Sequence, residues 1–239
     1  MALPSMTGSV RYSAAMMRPP VLLLALLALL VVPTLAAAAI APVSPAAGLA
    51  TANSAPTFTW TLDGGSVPGS LQVSTNPAVD PSTNRLVGAS IDQPLAADAA
   101  GYRPGTAQQL YAGVWNWRVV GTTAGVADAT PTQAFTVRPV VSTPRLKVAA
   151  TRKGTAGTVR IHTNTARFRM RVRILHGRST CLNRVVTRSR ARARIGAWDT
   201  YRIYCYPYGG VARGTRVTTI VTVTGNGVSR SARATAIAR

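Results

Sequence analysis

The sequence contains no glutamate, and its 239 residues include only six acidic side chains, all of them aspartate. Glycoside hydrolysis requires one carboxyl group as an acid and a second as a base or nucleophile. Several of the aspartates instead lie in turn-forming segments such as NPAVDPSTN (76–84), where aspartate is an ordinary turn residue. The shortage of acids therefore argues against a hydrolase that uses paired carboxylates.

Other catalytic constellations are missing from the sequence as well. A serine hydrolase triad needs a histidine oriented by an acid. The two histidines, His162 and His176, belong to a half of the chain whose only acid is Asp199. No phosphate-binding loop and no dinucleotide-binding fingerprint is present. The sequence predicts a protein that is not an enzyme and that uses no cofactor.

The N-terminal segment has the pattern of a secretory signal peptide. Arg18 precedes twelve apolar residues, VLLLALLALLVV (21–32), and Pro33 then leads into small residues with an A-x-A cleavage motif. The pattern predicts export, with residues 1–39 as the signal peptide. Because apolar residues continue beyond Pro33, the alternative is a single-pass protein anchored in the membrane through residues 19–40.

The only cysteines are Cys181 and Cys205. In an exported protein, an even number of cysteines usually forms disulfides. A metal site with His176 as a third ligand is the alternative, but neither a C-x-x-C spacing nor a second nearby histidine supports it. We therefore predict a Cys181–Cys205 disulfide and no metal.

Positive charge is concentrated in the second half of the chain. Residues 42–138 carry four arginines against five aspartates, whereas residues 139–239 carry 19 arginines and two lysines against one aspartate. Such an asymmetry predicts an acidic polymer as the partner of the second half.

The first half contains short runs in which apolar and polar residues alternate, separated by clusters of Gly, Pro, Asn and Asp. This pattern predicts an antiparallel β-sandwich. The runs are TFTWTL (57–62), SLQVST (70–75), GVWNWRVVG (113–121) and QAFTVRPV (133–140).

Five motifs in this half occur in the order found in bacterial fibronectin type III-like modules: PVSPAAG (42–48), APTFTWT (55–61), LQVSTNP (71–77), LYAGVWNWRV (110–119) and AFTV (134–137). Residues 42–138 thus resemble such a module. The resemblance implies an immunoglobulin-like β-sandwich that serves as a spacer or adhesive module of surface and secreted proteins, and not as a catalyst. The chain departs from the pattern at Trp115, where tyrosine is usual, so no tyrosine-corner hydrogen bond is implied.

The aromatic residues of this half have the spacing of a sandwich core. Phe58 and Trp60 share one face of their strand, and Trp115, Trp117 and Val119 share one face of theirs. Rings of this size can anchor a core between two sheets. We predict this core in preference to the alternative, an exposed platform that stacks on carbohydrate.

The second half predicts a further antiparallel sandwich, residues 145–239, in tandem with the first. The motif GNG at residues 225–227 is a suitable hairpin turn. Because the two cysteines are closer in sequence than those of a true immunoglobulin bridge, this half is only generically immunoglobulin-like. The seven candidate strands are RLKVAAT (145–151), GTVRIHT (157–163), ARFRMRVRIL (166–175), RVVTRSRARARIG (184–196), YRIYCYP (201–207), TRVTTIVTVT (215–224) and VSRSARATAIA (228–238).

Two of these strands carry arginine at every second position. Alternation predicts that the arginines lie on one exposed face and that residues such as Phe168, Met170, Val172 and Ile174 face the core. If the two strands pair, up to eight guanidinium groups share that face. The eight candidates for polyanion binding are Arg167, Arg169, Arg171, Arg173, Arg188, Arg190, Arg192 and Arg194.

This arginine pattern has two interpretations. Guanidinium groups bind phosphates and carboxylates through paired hydrogen bonds, and the scarcity of acids favours such a role, since a merely solvated surface usually mixes both signs. The alternative is a solvated exterior that discourages aggregation. Tyr201, Tyr204, Tyr206 and Tyr208 beside Arg202 resemble base-stacking surfaces, but nucleic-acid-binding motifs are missing, so specific nucleic-acid recognition is not expected.

The sequence thus predicts an exported, non-enzymatic, all-β protein with two sandwich domains. Its expected role is docking on an acidic polymer of the cell envelope or extracellular space, such as a wall polymer or lipid headgroups. The alternatives are a structural spacer without a specific ligand and an accessory module of carbohydrate-active systems.

Overall fold

The computed structural model of the protein describes residues 40–190 and 194–239. Within these ranges the chain is all-β, as predicted, and is built of antiparallel sheets with one added parallel pairing. None of the described residues forms a helix long and apolar enough to cross a membrane. The predicted signal peptide and Arg192 lie outside the described residues.

Eleven strands of the described chain belong to the first half. They form a three-stranded sheet in the order β1-β3-β8 and a second sheet in the order β2-β11-β9-β4-β7, in which β10 also pairs with β9. The strands β5 and β6 pair with each other. The bounds are β1 (Ile40–Ser44), β2 (Ala50–Thr51), β3 (Phe58–Leu62), β4 (Ser66–Ser74), β5 (Val79–Asp80), β6 (Arg85–Leu86), β7 (Ile91–Pro94), β8 (Gly101–Tyr102), β9 (Gly113–Thr123), β10 (Val126–Ala129) and β11 (Gln133–Val137).

The aromatic residues of the first half pack between its two sheets, which confirms the predicted core. The ring of Phe58 meets those of Trp117 and Phe135 edge to face, at centroid distances of 5.3 and 5.9 Å. Trp60 and Trp115 are buried as well, and each indole N–H of the three tryptophans donates to a backbone carbonyl. These rings are therefore inaccessible to a carbohydrate.

The second half contains seven described strands in two sheets, ordered β12-β13-β16 and β15-β14-β17-β18. Each overlaps one predicted segment, and the predicted hairpin turn is confirmed at Asn226 and Gly227, which both have positive φ. The strands are β12 (Arg145–Thr151), β13 (Gly154–His162), β14 (Arg167–His176), β15 (Ser179–Ser189), β16 (Trp198–Cys205), β17 (Arg216–Gly225) and β18 (Val228–Ile237).

Both halves have the same connectivity. In the second half, the first, second and fifth strands form one sheet, and the fourth, third, sixth and seventh form the other. Seven strands of the first half repeat this order, with β1, β3 and β8 in one sheet and β7, β4, β9 and β11 in the other. Sheets of this kind, packed face to face, have the architecture of an immunoglobulin-like β-sandwich.

The disulfide between Cys181 and Cys205 is confirmed, with the two Cα atoms 6.2 Å apart. It joins β15 of one sheet to β16 of the other, so it links the two sheets even though the cysteines are only 24 residues apart in sequence. Closure of a loop of this length stabilises the fold by about 3.5 kcal/mol in the chain-entropy model.

The buried side chain of Asn164 helps to fix the connection between the halves. The side-chain amide of Asn164 donates to the carbonyl oxygen of Arg138 at 2.9 Å and accepts from the backbone N–H of Val140 at 2.7 Å. Its backbone carbonyl accepts from the N–H of Ala112 in the first half at 3.1 Å. The two prolines of this segment predict a stiff joint, and these hydrogen bonds add to that stiffness.

Candidate polyanion-binding face

The alternation of β14 places its arginines as predicted. Phe168, Met170, Val172 and Ile174 are buried in the core of the second sandwich. The four residues that alternate with them, Arg167, Arg169, Arg171 and Arg173, are all exposed. Because successive side chains of a strand point to opposite faces, the four guanidinium groups form a column on the outer face of the sheet.

A β-bulge keeps Arg188 away from this column. In the hairpin of β14 and β15, Leu175 pairs with Thr180 but Ile174 pairs with Leu182, so Cys181 is an extra residue in β15. This shift of one residue places Arg188 opposite Phe168 and not opposite an arginine. A one-residue shift moves every later side chain to the other face of the sheet.

The prediction that Arg188 shares the exposed face of the column is therefore wrong. Its guanidinium carbon lies 5.7 Å from the ring centroid of Tyr201, a residue of the opposite sheet that also contacts Phe168. The same shift places Arg184 opposite Val172. Both arginines are exposed, but they lie at the open edge of the sandwich.

The prediction for Arg190 is also wrong, because this side chain is buried and only 5% of the residue is exposed. The strand β15 ends at Ser189, and the side chain then turns into the protein. Its Nε and Nη2 atoms donate to Oδ2 of Asp199 at 3.0 and 2.7 Å. Further N–H groups donate to the carbonyl oxygens of Thr163 and Ala197.

These contacts give the physical reason for the burial of Arg190. A buried guanidinium is tolerated only where a counter-charge and hydrogen-bond acceptors are in place, and this pocket supplies both. Arg194 remains exposed and places Nη2 at 2.9 Å from Oδ1 of Asp199. Four of the eight predicted arginines belong to the predicted strand 184–196, and none of the four is shown to join the column. They are Arg188, Arg190, Arg192 and Arg194.

The other strands of the sheet complete the exposed face and add an arginine that the sequence pattern does not indicate. Arg233 of β18 lies in one row with Ile220 of β17 and Arg173 of β14. It is exposed and follows the same alternation as the column. The pairing of β17 with β14 on one side and with β18 on the other brings this fifth member to the face. We define the arginine face as Arg167, Arg169, Arg171, Arg173 and Arg233.

Hydroxyl groups flank the column. The Oγ1 of Thr222 lies 2.8 Å from Oγ of Ser231, and the Oγ1 of Thr224 lies 2.7 Å from Oγ of Ser229. A shallow depression of about 260 Å³ is lined by Arg169, Arg171, Val185, Thr222 and Thr224. Guanidinium and hydroxyl groups are the donors that bind phosphate, sulfate and carboxylate oxygens.

The arginine face lacks compensating charge. Within the described residues, none of its five members forms an ion pair. The only acid in the second half, Asp199, is buried with Arg190. Neighbouring positions on one face of a strand are ~7 Å apart, at which two unit charges repel by only ~0.6 kcal/mol in water. The sheet therefore tolerates this column, and a bound anion would relieve its repulsion.

The two histidines have structural partners. His176 is the last residue of β14 and places Nε2 at 2.9 Å from Oγ1 of Thr155. His162 ends β13 and places Nδ1 at 3.0 Å from Oγ of Ser142. Burial lowers the pKa of both imidazoles, and the charge of Arg190 lowers that of His162 further. Across the described ranges, no three His, Cys, Asp or Glu side chains form a possible metal site.

Comparison with known proteins assigns no family. No protein-family model matches the chain, and no curated protein is similar to it. Among solved structures, the dimeric latent PorU from Porphyromonas gingivalis is 15% identical with a TM-score of 0.31, and the similarity covers 82% of this chain and 19% of that chain.

Two further solved structures contain fibronectin modules. The Clostridium thermocellum CbhA fibronectin(III)-like modules are 13% identical with a TM-score of 0.28, covering 83% of this chain and 92% of that chain. The chicken CNTN1 FN1–FN3 domains are 15% identical with a TM-score of 0.29, covering 78% and 62%. At these TM-scores the similarities carry neither a family assignment nor a function.

Proposed function

We propose that the protein is an exported binding protein without catalytic activity, whose second sandwich docks on an acidic polymer through the arginine face. The observation that carries the proposal is the column of four exposed arginines on β14 with no carboxylate partner among the described residues. The polymer is a component of the cell envelope or extracellular space, such as a wall polymer, a lipid surface or another polyanion.

The shape of the arginine face favours a polymer over a single small anion. Four positions at intervals of ~7 Å extend over about 20 Å along β14. An extended chain with repeated negative charges can contact all of them at once, whereas a single anion contacts one or two. Each such interaction also releases counterions from the polymer, so the affinity of the complex depends strongly on salt.

The first sandwich then serves as a spacer. Its net charge is close to zero, and its aromatic residues are used in its own core. A structural protein without a specific ligand is the competing function, and it differs in one measurable respect. In that case the arginines only keep the sheet soluble, and their position on the sheet is irrelevant to retention on a polyanion.

The test compares two variants of the purified protein that remove the same number of positive charges. The face variant changes Arg169, Arg171, Arg173 and Arg233 to Ser. The matched control changes four exposed arginines outside the arginine face, Arg152, Arg184, Arg213 and Arg230, to Ser. Binding to inorganic polyphosphate and to heparin is measured over a series of salt concentrations.

We expect the face variant to bind at least tenfold more weakly at low salt and to show a shallower dependence of log affinity on log salt. For duplex DNA the slope changes by ~0.9 for each phosphate that the protein no longer neutralises. The control variant should retain most of the affinity. Equal reductions in both variants would show that only net charge matters and would overturn the proposal.

A third variant separates binding from folding. Met170 lies on β14 between two arginines of the face, but its side chain is buried in the core. Met170→Ser should lower the free energy of unfolding by ~2–4 kcal/mol and leave the affinity of the folded protein for polyphosphate unchanged.

A further inference from the structure

The outer face of the other sheet of the second sandwich carries exposed aromatic and cationic side chains. Along β16, Ile203 is buried in the core, whereas Arg202 and Tyr204 point outward. A groove of about 580 Å³ lies on this face. We define the tyrosine groove by six of the residues that line it, which are Lys147, Ala149, Ala156, Arg202, Tyr204 and Tyr206.

The two tyrosines form an exposed aromatic wall. Each of them is 63% exposed, and their rings are nearly parallel, with centroids 6.0 Å apart and planes inclined by 24°. Tyr206 is held in place because its ring packs over Gly154, where a Cβ atom would lie 2.7 Å from the Cδ1 of the ring. Large aromatic side chains exposed together, outside the core, are typical of ligand-binding surfaces.

The floor of the groove is flat and made of small residues. Ala149, Ala156 and Tyr204 lie in one row across β12, β13 and β16, and the adjacent row consists of Lys147, Thr158 and Arg202. The two alanine methyl groups thus lie beside Tyr204, and the two cations lie at the ends of the next row. The volume of the groove is within the range of small-molecule sites, ~300–1,000 Å³.

The charge of the groove selects for anions. Asp199, the one acid of the second half, points from β16 into the interior and is paired with Arg190. Lys147 and Arg202 therefore have no carboxylate partner from their own sandwich. A ligand that complements the groove has an apolar ring face that packs against the tyrosines. It also has a negative group at the adjacent row of residues, where the two cations lie.

We propose that the tyrosine groove binds an acidic sugar unit of an oligosaccharide, with the pyranose ring stacked on Tyr204 and Tyr206 and its carboxylate at Lys147 and Arg202. A pyranose ring presents C–H groups on one face and fits the flat floor. A nucleobase would need polar side chains along its edge for recognition, and the row of the floor that adjoins Tyr204 offers only the methyl groups of Ala149 and Ala156. This site does not depend on the arginine face, which belongs to the other sheet.

The test uses the full chain and three probes: tetragalacturonate as the acidic oligosaccharide, a neutral galactose tetramer of the same length, and single-stranded oligothymidylate. Binding is measured by calorimetry at moderate salt. The variants are Tyr204→Ala, Tyr206→Ala, Tyr204→Phe and Arg202→Gln. The control is Tyr208→Ala, because Tyr208 is fully exposed and lies outside the groove.

We expect tetragalacturonate to bind, and the two tyrosine-to-alanine variants to reduce its affinity by about tenfold each, the equivalent of one stacking interaction. Tyr204→Phe and Tyr208→Ala should retain the affinity, and Arg202→Gln should lower it for the acidic tetramer only. The arginine-face variant should bind tetragalacturonate as the parent does, so the two proposals can fail separately.

Three outcomes would overturn the inference. The first is that tetragalacturonate does not bind. The second is that the neutral tetramer binds equally well, which would leave the cations without a role. The third is that oligothymidylate binds more tightly with the same dependence on both tyrosines, which would make the groove a base-stacking site. Since all the substituted side chains are exposed, circular dichroism should show an unchanged fold.

Discussion

The buried ion pair between Arg190 and Asp199 predicts a large loss of stability when one charge is removed. The side chain of Arg190 is fully buried and that of Asp199 is 9% exposed. Asp199→Asn preserves the size of the side chain and an oxygen acceptor, but removes the counter-charge of the guanidinium. The variant therefore isolates the electrostatic contribution from packing.

The expected cost follows from the interactions that remain. Breaking a buried ion pair by removing one partner typically costs ~3–5 kcal/mol, since an uncompensated charge stays inside. Arg190 also donates to the carbonyl oxygens of Thr163, Ala197 and Ile161, and these dipoles stabilise the charge in part. We therefore expect a loss near the lower end, about 3 kcal/mol, which is a large share of the stability of a small domain.

Hydrogen exchange followed by mass spectrometry is the suitable assay, because it reports the opening free energy of peptides in β13 and β16 separately from those of the first sandwich. The matched control is Asp92→Asn, which removes the acid of the exposed ion pair with Arg85. Exposed pairs contribute ~0.2–1 kcal/mol. If Asp199→Asn cost less than about 1 kcal/mol, as the control does, Arg190 would not be left as an uncompensated buried charge, and the reasoning would be refuted.

Two further predictions concern pH and export. Because burial lowers the pKa of His162 and His176, the unfolded chain binds more protons, so the free energy of unfolding should decrease as pH falls below ~6.5. The test is to measure the free energy of unfolding across this pH range for the parent and for a variant with both histidines changed to Gln. A parent whose free energy of unfolding does not decrease towards pH ~5 contradicts the prediction. Mass spectrometry of protein from outside the cytoplasm should find an N-terminus near Ala39 or Ile40. An intact Met1 in the membrane fraction would instead establish the anchor.

The strands and the core could be predicted from the sequence because they depend on local alternation. In β14, each arginine is followed by an apolar residue, and a strand that buries one face must orient these two sets oppositely. The aromatic pairs Phe58 with Trp60 and Trp115 with Trp117 are informative for the same reason. Their burial follows from spacing alone, without knowledge of the pairing of the strands.

The number of arginines on the exposed face could not be predicted, because it depends on register. The hairpin turn after His176 would pair Arg188 with Arg167 if the ladder continued without interruption. The extra residue Cys181 shifts the register by one and pairs Arg188 with Phe168. The alternation of apolar and polar residues does not indicate where the bulge lies. In the fold, the disulfide of Cys181 to Cys205 fixes the bulged segment against the other sheet.

The burial of Arg190 could not be predicted for a different reason. The alternation of arginine continues in the sequence from Arg188 to Arg194, although the strand ends at Ser189. The side chain turns inward because Asp199 lies within reach in the folded chain, and an arginine near a buried acid has the same local sequence as one that faces solvent.

This internal pairing supports the proposal that the second sandwich binds an acidic partner. Asp199 is the only acid among residues 139–239, and its carboxylate is committed to Arg190 and Arg194. The remaining cations of this half thus have no acid of their own half to neutralise them, whereas the first half is nearly neutral. Attraction to the proposed anionic surface would therefore act on the second half of the chain, and the nearly neutral first half would contribute little to it.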